Sequence, residues 1–398
     1  MKLTAKPFDI SLSSSVQFGA QWAQPQNILD LLQIIGGDVV QHALAQLSGG
    51  YFTPVPFSFG WIAYSFNSMF AVGDKKLMPE PDYPSIVINA QSGYIRDNRS
   101  WVIGRVLRDF DYWKPKAVGV VEEKMIDDAR EAELNTAKHA AVGTSLGQDD
   151  AIPIPNRRKR AGLCISIFAT SSSHRAGTDI AKDWVFHSGI FTIVVQLSIS
   201  AIPLGLYGQW DILVITIWGT ILALASGAIP QWKAEKWQCR QGKKTVILTK
   251  GNGAQHAIVI IGSNERALDL EDLADSDGVK SPLSLRLYTA LLAVLWLALL
   301  ITVSGVTQNS WFLLAVGGLG MVQNVLAAGA PRRPSAVGFH LELLEVIGHY
   351  RVMTALMKLE DKYPGVGANM VTTFFPGKLL ENEEKFWEEK AEKLKIRL

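Results

Sequence analysis

Cysteine is scarce. The 398 residues hold two, Cys164 and Cys239. That excludes a disulfide framework, and the pair lacks metal-ligand spacing. Charge is thin as well, at 19% of residues against about 25% in an average soluble domain. The net charge is +2, which gives no electrostatic basis for nucleic-acid binding. The opening stretch, MKLTAKPFDISLSSS, has no apolar core of a cleaved signal peptide. Membrane insertion is therefore expected to rely on an internal span. Neither end carries a lipidation motif or a retention signal. The patterns HExxH, DDxxD, GxSxG, the P-loop and the dinucleotide fingerprint are all missing. The seven histidines form no CxxC or His-cluster metal site, so no metal site is expected, and no cofactor is implied.

What is present is long apolar runs. From Leu283 to Gly329 two runs of about twenty residues flank the uncharged turn Thr307-Gln308-Asn309-Ser310. At about 1.5 Å per residue each run crosses a hydrocarbon core about 30 Å thick. Trp184–Leu206 and Asp211–Ile229 form a second pair around Tyr207-Gly208-Gln209-Trp210. A third is expected from Ile28–Leu47 and the aromatic-rich Pro56–Val72, joined by a turn near 48–53. The first of these helices either spans the bilayer facing a bundle interior or lies amphipathically in the interface.

None of the three turns contains Lys or Arg, whereas every other connection carries several. The positive-inside rule then puts the turns outside and both termini in the cytosol. On this topology the sequon Asn98-Arg99-Ser100 is cytosolic and unused. The connecting segments hold short apolar runs expected to be strands, at Ser85–Asn89, Leu163–Ala169, Thr245–Thr249 and Ala257–Ile261. They are expected to meet in one sheet, because isolated strands are not stable. Helices are expected at Ser100–Phe110, Glu122–His139, Phe339–Glu360 and Glu381–Lys395.

The expected fold is thus an α-helical membrane protein of about six spans in three hairpins, with a small cytosolic α/β layer. Its segments are 1–73 with the first hairpin, 74–183 cytosolic, 184–230 the second hairpin, 231–282 a β-hairpin segment, 283–330 the third hairpin and 331–398 a helical tail.

Candidate chemistry is confined to polar residues in or near the spans. Asp38 and His42 stand four residues apart and share a helix face, as an acid and its partner would. Asn67, His187, Gln196, Gln323 and Asn324 are candidates to line a pocket between the hairpins, or to hydrogen-bond helix to helix. His174, Arg175 and Lys250 are candidates to meet a phosphate or lipid headgroup. The basic run Arg157–Arg160 fits a membrane-surface signal.

Ser92–Trp113 (SGYIRDNRSWVIGRVLRDFDYW), Val246–Ala274 (VILTKGNGAQHAIVIIGSNERALDLEDLA) and Phe18–Leu47 resemble multi-span membrane proteins of filamentous fungi. The resemblance implies a fungal membrane protein linked to specialised metabolism and transfers no catalytic residue. Three functions remain open. One is a membrane-embedded cyclase or isomerase acting on a lipid-soluble isoprenoid or polyketide-like molecule, with Asp38 and His42 catalytic. The others are a non-catalytic scaffold or regulator, and a small channel or transporter. The expected partner in each is the lipid bilayer, joined by a hydrophobic small molecule in the first.

Overall fold

The computed structural model describes residues 36–74, 76–143, 162–174, 176–263, 265, 267–275, 282–306 and 308–395. The chain folds as two compact units that interleave along the sequence. One comprises Met1–Pro79, Ile180–Lys236 and Gly278–Ala330; the other comprises Glu80–Asp179, Trp237–Asp277 and Pro331–Leu398.

The first unit is helical. Its elements are α1 (Gly37–Leu47), α2 (Trp61–Asp74), α6 (Trp184–Tyr207), α7 (Asp211–Gly227), α8 (Pro230–Lys236), α10 (Leu283–Ser304) and α11 (Ser310–Gly329). Among the described residues four helices are long and apolar enough to cross a membrane: α6, α7 continuing into α8, α10 and α11. Their outward faces are apolar, with Phe191, Leu206, Leu287, Val294, Ile301 and Val322 all exposed. Trp184 and Tyr207 mark the two ends of α6, where amphipathic aromatics favour a membrane–water boundary.

The first expected hairpin is built differently. Gly36 takes a positive φ of 103°, so α1 begins at Gly37 and has 11 residues. Residues 28–35 lie outside the described residues. The expected second span does not start as a helix at Pro56. Residues 53–58 belong to no helix or strand, a turn follows at 59–60, and α2 begins only at Trp61. Pro54 and Pro56 explain this: each lacks an amide hydrogen, and each pushes the residue before it out of the helical region.

This non-helical stretch is a strap packed within a ring of helices. Neighbour contacts run α1–α2–α10–α7–α6–α11 and back to α1. Thr53, Val55, Phe57, Ser58 and Phe59 are all buried. Glycines make room for them. A Cβ at Gly189 of α6 would lie 2.1 Å from the Pro54 carbonyl oxygen, and one at Gly320 of α11 would lie 1.8 Å from that of Phe57. Gly219 and Gly317 similarly clear the rings of Phe57 and Phe59. Trp296 of α10 stacks on Phe57 and on Trp61, with ring centroids 6.1 and 5.4 Å apart.

The second unit is α/β. Its strands are β1 (Ile86–Asn89), β2 (Ile95–Asp97), β3 (Leu163–Thr170), β4 (Thr245–Thr249), β5 (His256–Ile261) and β6 (Leu341–His349). They form one sheet in the order β2-β1-β4-β5-β3-β6, with β3–β5 parallel and the other pairs antiparallel. Segments far apart in sequence therefore supply one sheet, and the four expected strands are all in it. The helices are α3 (Trp101–Arg108), α4 (Phe110–Trp113), α5 (Lys116–Gly143), α9 (Leu270–Ala274), α12 (Val352–Lys362), α13 (Ala368–Phe374) and α14 (Glu381–Lys395).

Two strands go beyond the sequence expectation. β2 is a short edge strand paired to β1. β6 replaces the first half of the helix expected over Phe339–Glu360, with α12 as the second half. Leu341-Glu342-Leu343-Leu344-Glu345-Val346-Ile347 fits either period, and pairing with β3 from Leu163 to Thr170 decides for the strand. On one face of the sheet Leu163, Ile165, Ile167, Ala257 and Val259 share a core with Leu356 and Leu359 of α12 and with Met370 of α13. Alternation turns Cys164 and Phe168 to the other face, where Phe168 meets Trp113 of α4 at 5.4 Å between ring centroids.

The strap imposes a position-specific requirement on α11. A Cβ added at Gly318 would meet nothing within 4 Å, whereas one at Gly320 meets backbone. Gly320→Ala is expected to destabilise the full chain in detergent by about 1–3 kcal/mol as an overpacked site. Gly318→Ala is expected to leave thermal unfolding unchanged or slightly raised, since Ala is the better helix former.

Candidate functional site

In the helical unit the polar side chains of the spans converge on the strap. Gln196 is fully buried, and its Nε2 donates to the carbonyl oxygens of Phe57 and Val316, at 2.7 Å each. Asn324 Nδ2 donates to Ser58 Oγ at 2.9 Å and approaches the Pro56 carbonyl at 3.5 Å. The same carbonyl accepts from Trp61 Nε1 at 2.9 Å. Gln323 links α11 to α6: its Nε2 donates to Ser188 Oγ at 2.8 Å, and its Oε1 accepts from Thr192. A non-helical chain among helices leaves carbonyls that no helix repeat can meet. These amides meet them.

The other candidates fall elsewhere. The Asp38 side chain is exposed, and His42 Nδ1 lies 2.7 Å from the Asp38 carbonyl, not from its carboxylate. Asn67 and His187 are exposed. In the α/β unit, His174 stacks on His340 at 4.3 Å between ring centroids, with Nδ1 2.9 Å from Ser173 Oγ. Lys250 is exposed in the β4–β5 loop over the Tyr83 ring. Arg175 and Arg157–Arg160 lie outside the described residues.

A buried charge that sequence reasoning misses is Lys236, at the end of α8. Its Nζ donates to the carbonyl oxygens of Ala45 and Ser48 at 2.8 Å and of Gln46 at 3.3 Å. These lie in the last turn of α1 and just beyond it, where carbonyls lack helical partners and a cation is favoured. The only signal in the sequence is a lysine closing an apolar run.

A second cluster, in the α/β unit, has the donor types of a metal centre. Glu122 on α5, Cys164 on β3 and His256 on β5 each bring a ligand atom within 4.8 Å of the others. Cys164 and His256 are register partners across the parallel pair, so they leave the sheet on the same face. His256 Nε2 is 3.4 Å from Glu122 Oε1. Lys114 lies beside them, with Nζ 2.9 Å from Glu122 Oε2 and 3.0 Å from Asp111 Oδ1. The His256 ring meets the Phe110 ring edge-on at 5.1 Å between centroids.

Burial pushes the Cys164 thiol up to about 12, and the Glu122 carboxylate adds to the rise, while Lys114 opposes it. Lys114 loses some basicity to burial, but the hydrogen bonds and charges of Glu122 and Asp111 outweigh that and raise it. A fully buried thiol held neutral is a poor nucleophile, because the thiolate is the reactive form. No local motif marks this cluster; it exists only once β3 pairs with β5.

No family model matches this chain, and searches of curated proteins and of solved structures return no match.

Replacing Gln196 by Leu removes the donor facing the Phe57 and Val316 carbonyls. The variant is expected to lose about 1–3 kcal/mol for a buried polar group deprived of its partner, read as a lower unfolding temperature of the full chain in detergent. An unchanged unfolding temperature would mean that Gln196 does not hold the strap.

Proposed function

We propose that this is an integral membrane protein whose helical unit serves as an anchor, with the α/β unit providing the working surface of a non-catalytic scaffold or regulator. The observation that carries this reading is the occupied centre of the helix ring. The strap fills it, and Gln196, Gln323 and Asn324 are engaged with the strap and with neighbouring helices. A channel needs an open path there. A membrane-embedded cyclase or isomerase needs a cavity presenting an acid to a lipid-soluble substrate, whereas Asp38 and His42 are joined through a backbone carbonyl and the carboxylate faces outward.

The four apolar helices supply the membrane association, and the exposed apolar faces of α6, α10 and α11 match a lipid surroundings. The absence of Lys and Arg from the turns at 207–210 and 306–310 supports a topology with the three long connections and both termini in the cytosol. In the finer form of this reading α1, α2 and the strap together complete a third hairpin. The likeness to proteins of filamentous fungi, and a place in specialised metabolism, rest on sequence alone.

The test is complementation of a strain lacking the protein by the double variant Asp38→Asn, His42→Gln, followed by metabolite profiling. The expected profile is indistinguishable from that given by the unaltered protein. A compound lost or accumulated only with the double variant, at normal protein level, would restore the membrane-enzyme reading.

A further inference from the structure

The helical unit engages its polar groups in holding itself together, whereas the Glu122–Cys164–His256 cluster brings three different metal-binding groups to one point from three elements. We propose that these residues form a binding site for a divalent transition-metal ion of the zinc class, pinning α5 to β3 and β5.

The donor set is what such an ion selects. Thiolate, imidazole and carboxylate are its three protein ligands, at about 2.3, 2.0–2.1 and 2.0–2.2 Å. A tetrahedral ion with those bond lengths holds an imidazole nitrogen and a carboxylate oxygen roughly 3.3–3.4 Å apart. His256 Nε2 and Glu122 Oε1 are already at 3.4 Å. The thiolate would sit roughly 3.6 Å from each. With all three ligand atoms within 4.8 Å of one another, Cys164 needs to close by at most about 1.2 Å. In-register pairing of β3 and β5 fixes two of the three ligands on rigid strands. The third comes from α5, which packs on β3 and β6.

Access is from the helix side. The Glu122 and His256 side chains are 14% and 20% exposed, while Cys164 is fully buried at the floor. A fourth ligand can come from water or from Asp111, whose Oδ1 lies 3.9 Å from His256 Nε2. Lys114 is the competitor. Its ammonium contacts both Glu122 oxygens and would be repelled by a dication there. It retains Asp111 at 3.0 Å when Glu122 turns to the metal. Binding breaks the Cys164 S–H bond: the proton passes to solvent, the sulfur keeps the electron pair, and that pair forms the metal–sulfur bond. No oxidant or reductant takes part.

The experiment titrates the full-length protein in detergent, stripped with a chelator, with Co²⁺ and then Zn²⁺. Expected is a thiolate-to-cobalt charge-transfer absorption that saturates near one equivalent and is bleached by Zn²⁺. With only two cysteines in the chain, persistence of the band in Cys239→Ser and its loss in Cys164→Ser assign it to Cys164. Glu122→Gln and His256→Ala are expected to weaken Co²⁺ binding more than about tenfold, since even outer-shell losses reach 10- to 100-fold. Lys114→Met is expected to tighten it. No thiolate–cobalt band in the unaltered protein would overturn the proposal, with no dependence on how the variants fold. So would a band that disappears in Cys239→Ser.

Discussion

Every backbone carbonyl in an apolar interior must find a donor, and this constraint shapes the helical unit. Helices satisfy themselves; the non-helical strap at residues 53–59 does not. Two things follow for the helices around it. Some must present amide donors inward, and Gln196 and Asn324 do so. Some must come close without side chains, and Gly189, Gly219, Gly317 and Gly320 do so. The same rule explains Lys236. The end of α1 exposes carbonyls to a buried environment, and the ammonium meets three of them. Gln196, Gln323 and Asn324 are thus engaged in joining the strap and the helices around it.

The α/β unit solves a different problem. Its sheet draws β1, β2 and β3 from one connection, β4 and β5 from the next and β6 from the last, so it closes only when the chain has passed through all the apolar runs between them. Glu271 of α9 helps to join these parts. It accepts from Asn89 Nδ2 at 2.7 Å and Lys244 Nζ at 3.0 Å, and it pairs with Arg96 at 3.4 Å. Burial alone would raise its pKa, but these donors outweigh burial and hold the carboxyl below its usual range. The ionised form is therefore favoured by the fold, and that contribution is present above the ordinary carboxylate range and fades as pH falls through the lowered value. The cluster at Glu122, Cys164 and His256 depends on the same closure, since β3 and β5 come from different connections.

Much of this is legible in the sequence. The runs at Trp184–Leu206, Asp211–Ile229 and Leu283–Gly329 are long and nearly free of charge, with Asp211 and Arg286 near their starts, and composition alone marks them. The strands at 85–89, 163–169, 245–249 and 257–261 are marked by short apolar runs between turn residues. The first hairpin departs from its expectation because apolarity does not distinguish a helix from a non-helical chain packed in protein. Pro54 and Pro56 carry the missing signal. Residues 341–347 suit a helix as well as a strand, because their Leu and Glu spacing fits both periods, and only the free edge of β3 selects the strand. Gln196, Gln323 and Asn324 are visible as polar residues among apolar ones. Their partner, a carbonyl-bearing strap, is not. The metal-type cluster is invisible because its members come from separate segments with no local pattern.

The most direct test of the account is hydrogen exchange at residues 53–59 in the full-length protein in lipid nanodiscs. A buried strap enclosed by the helix ring is predicted to exchange as slowly as the interiors of α6 and α11. Exchange on the timescale of the connecting loops would contradict the enclosed strap, and with it the anchoring role assigned to Gln196, Asn324 and the glycines that face it.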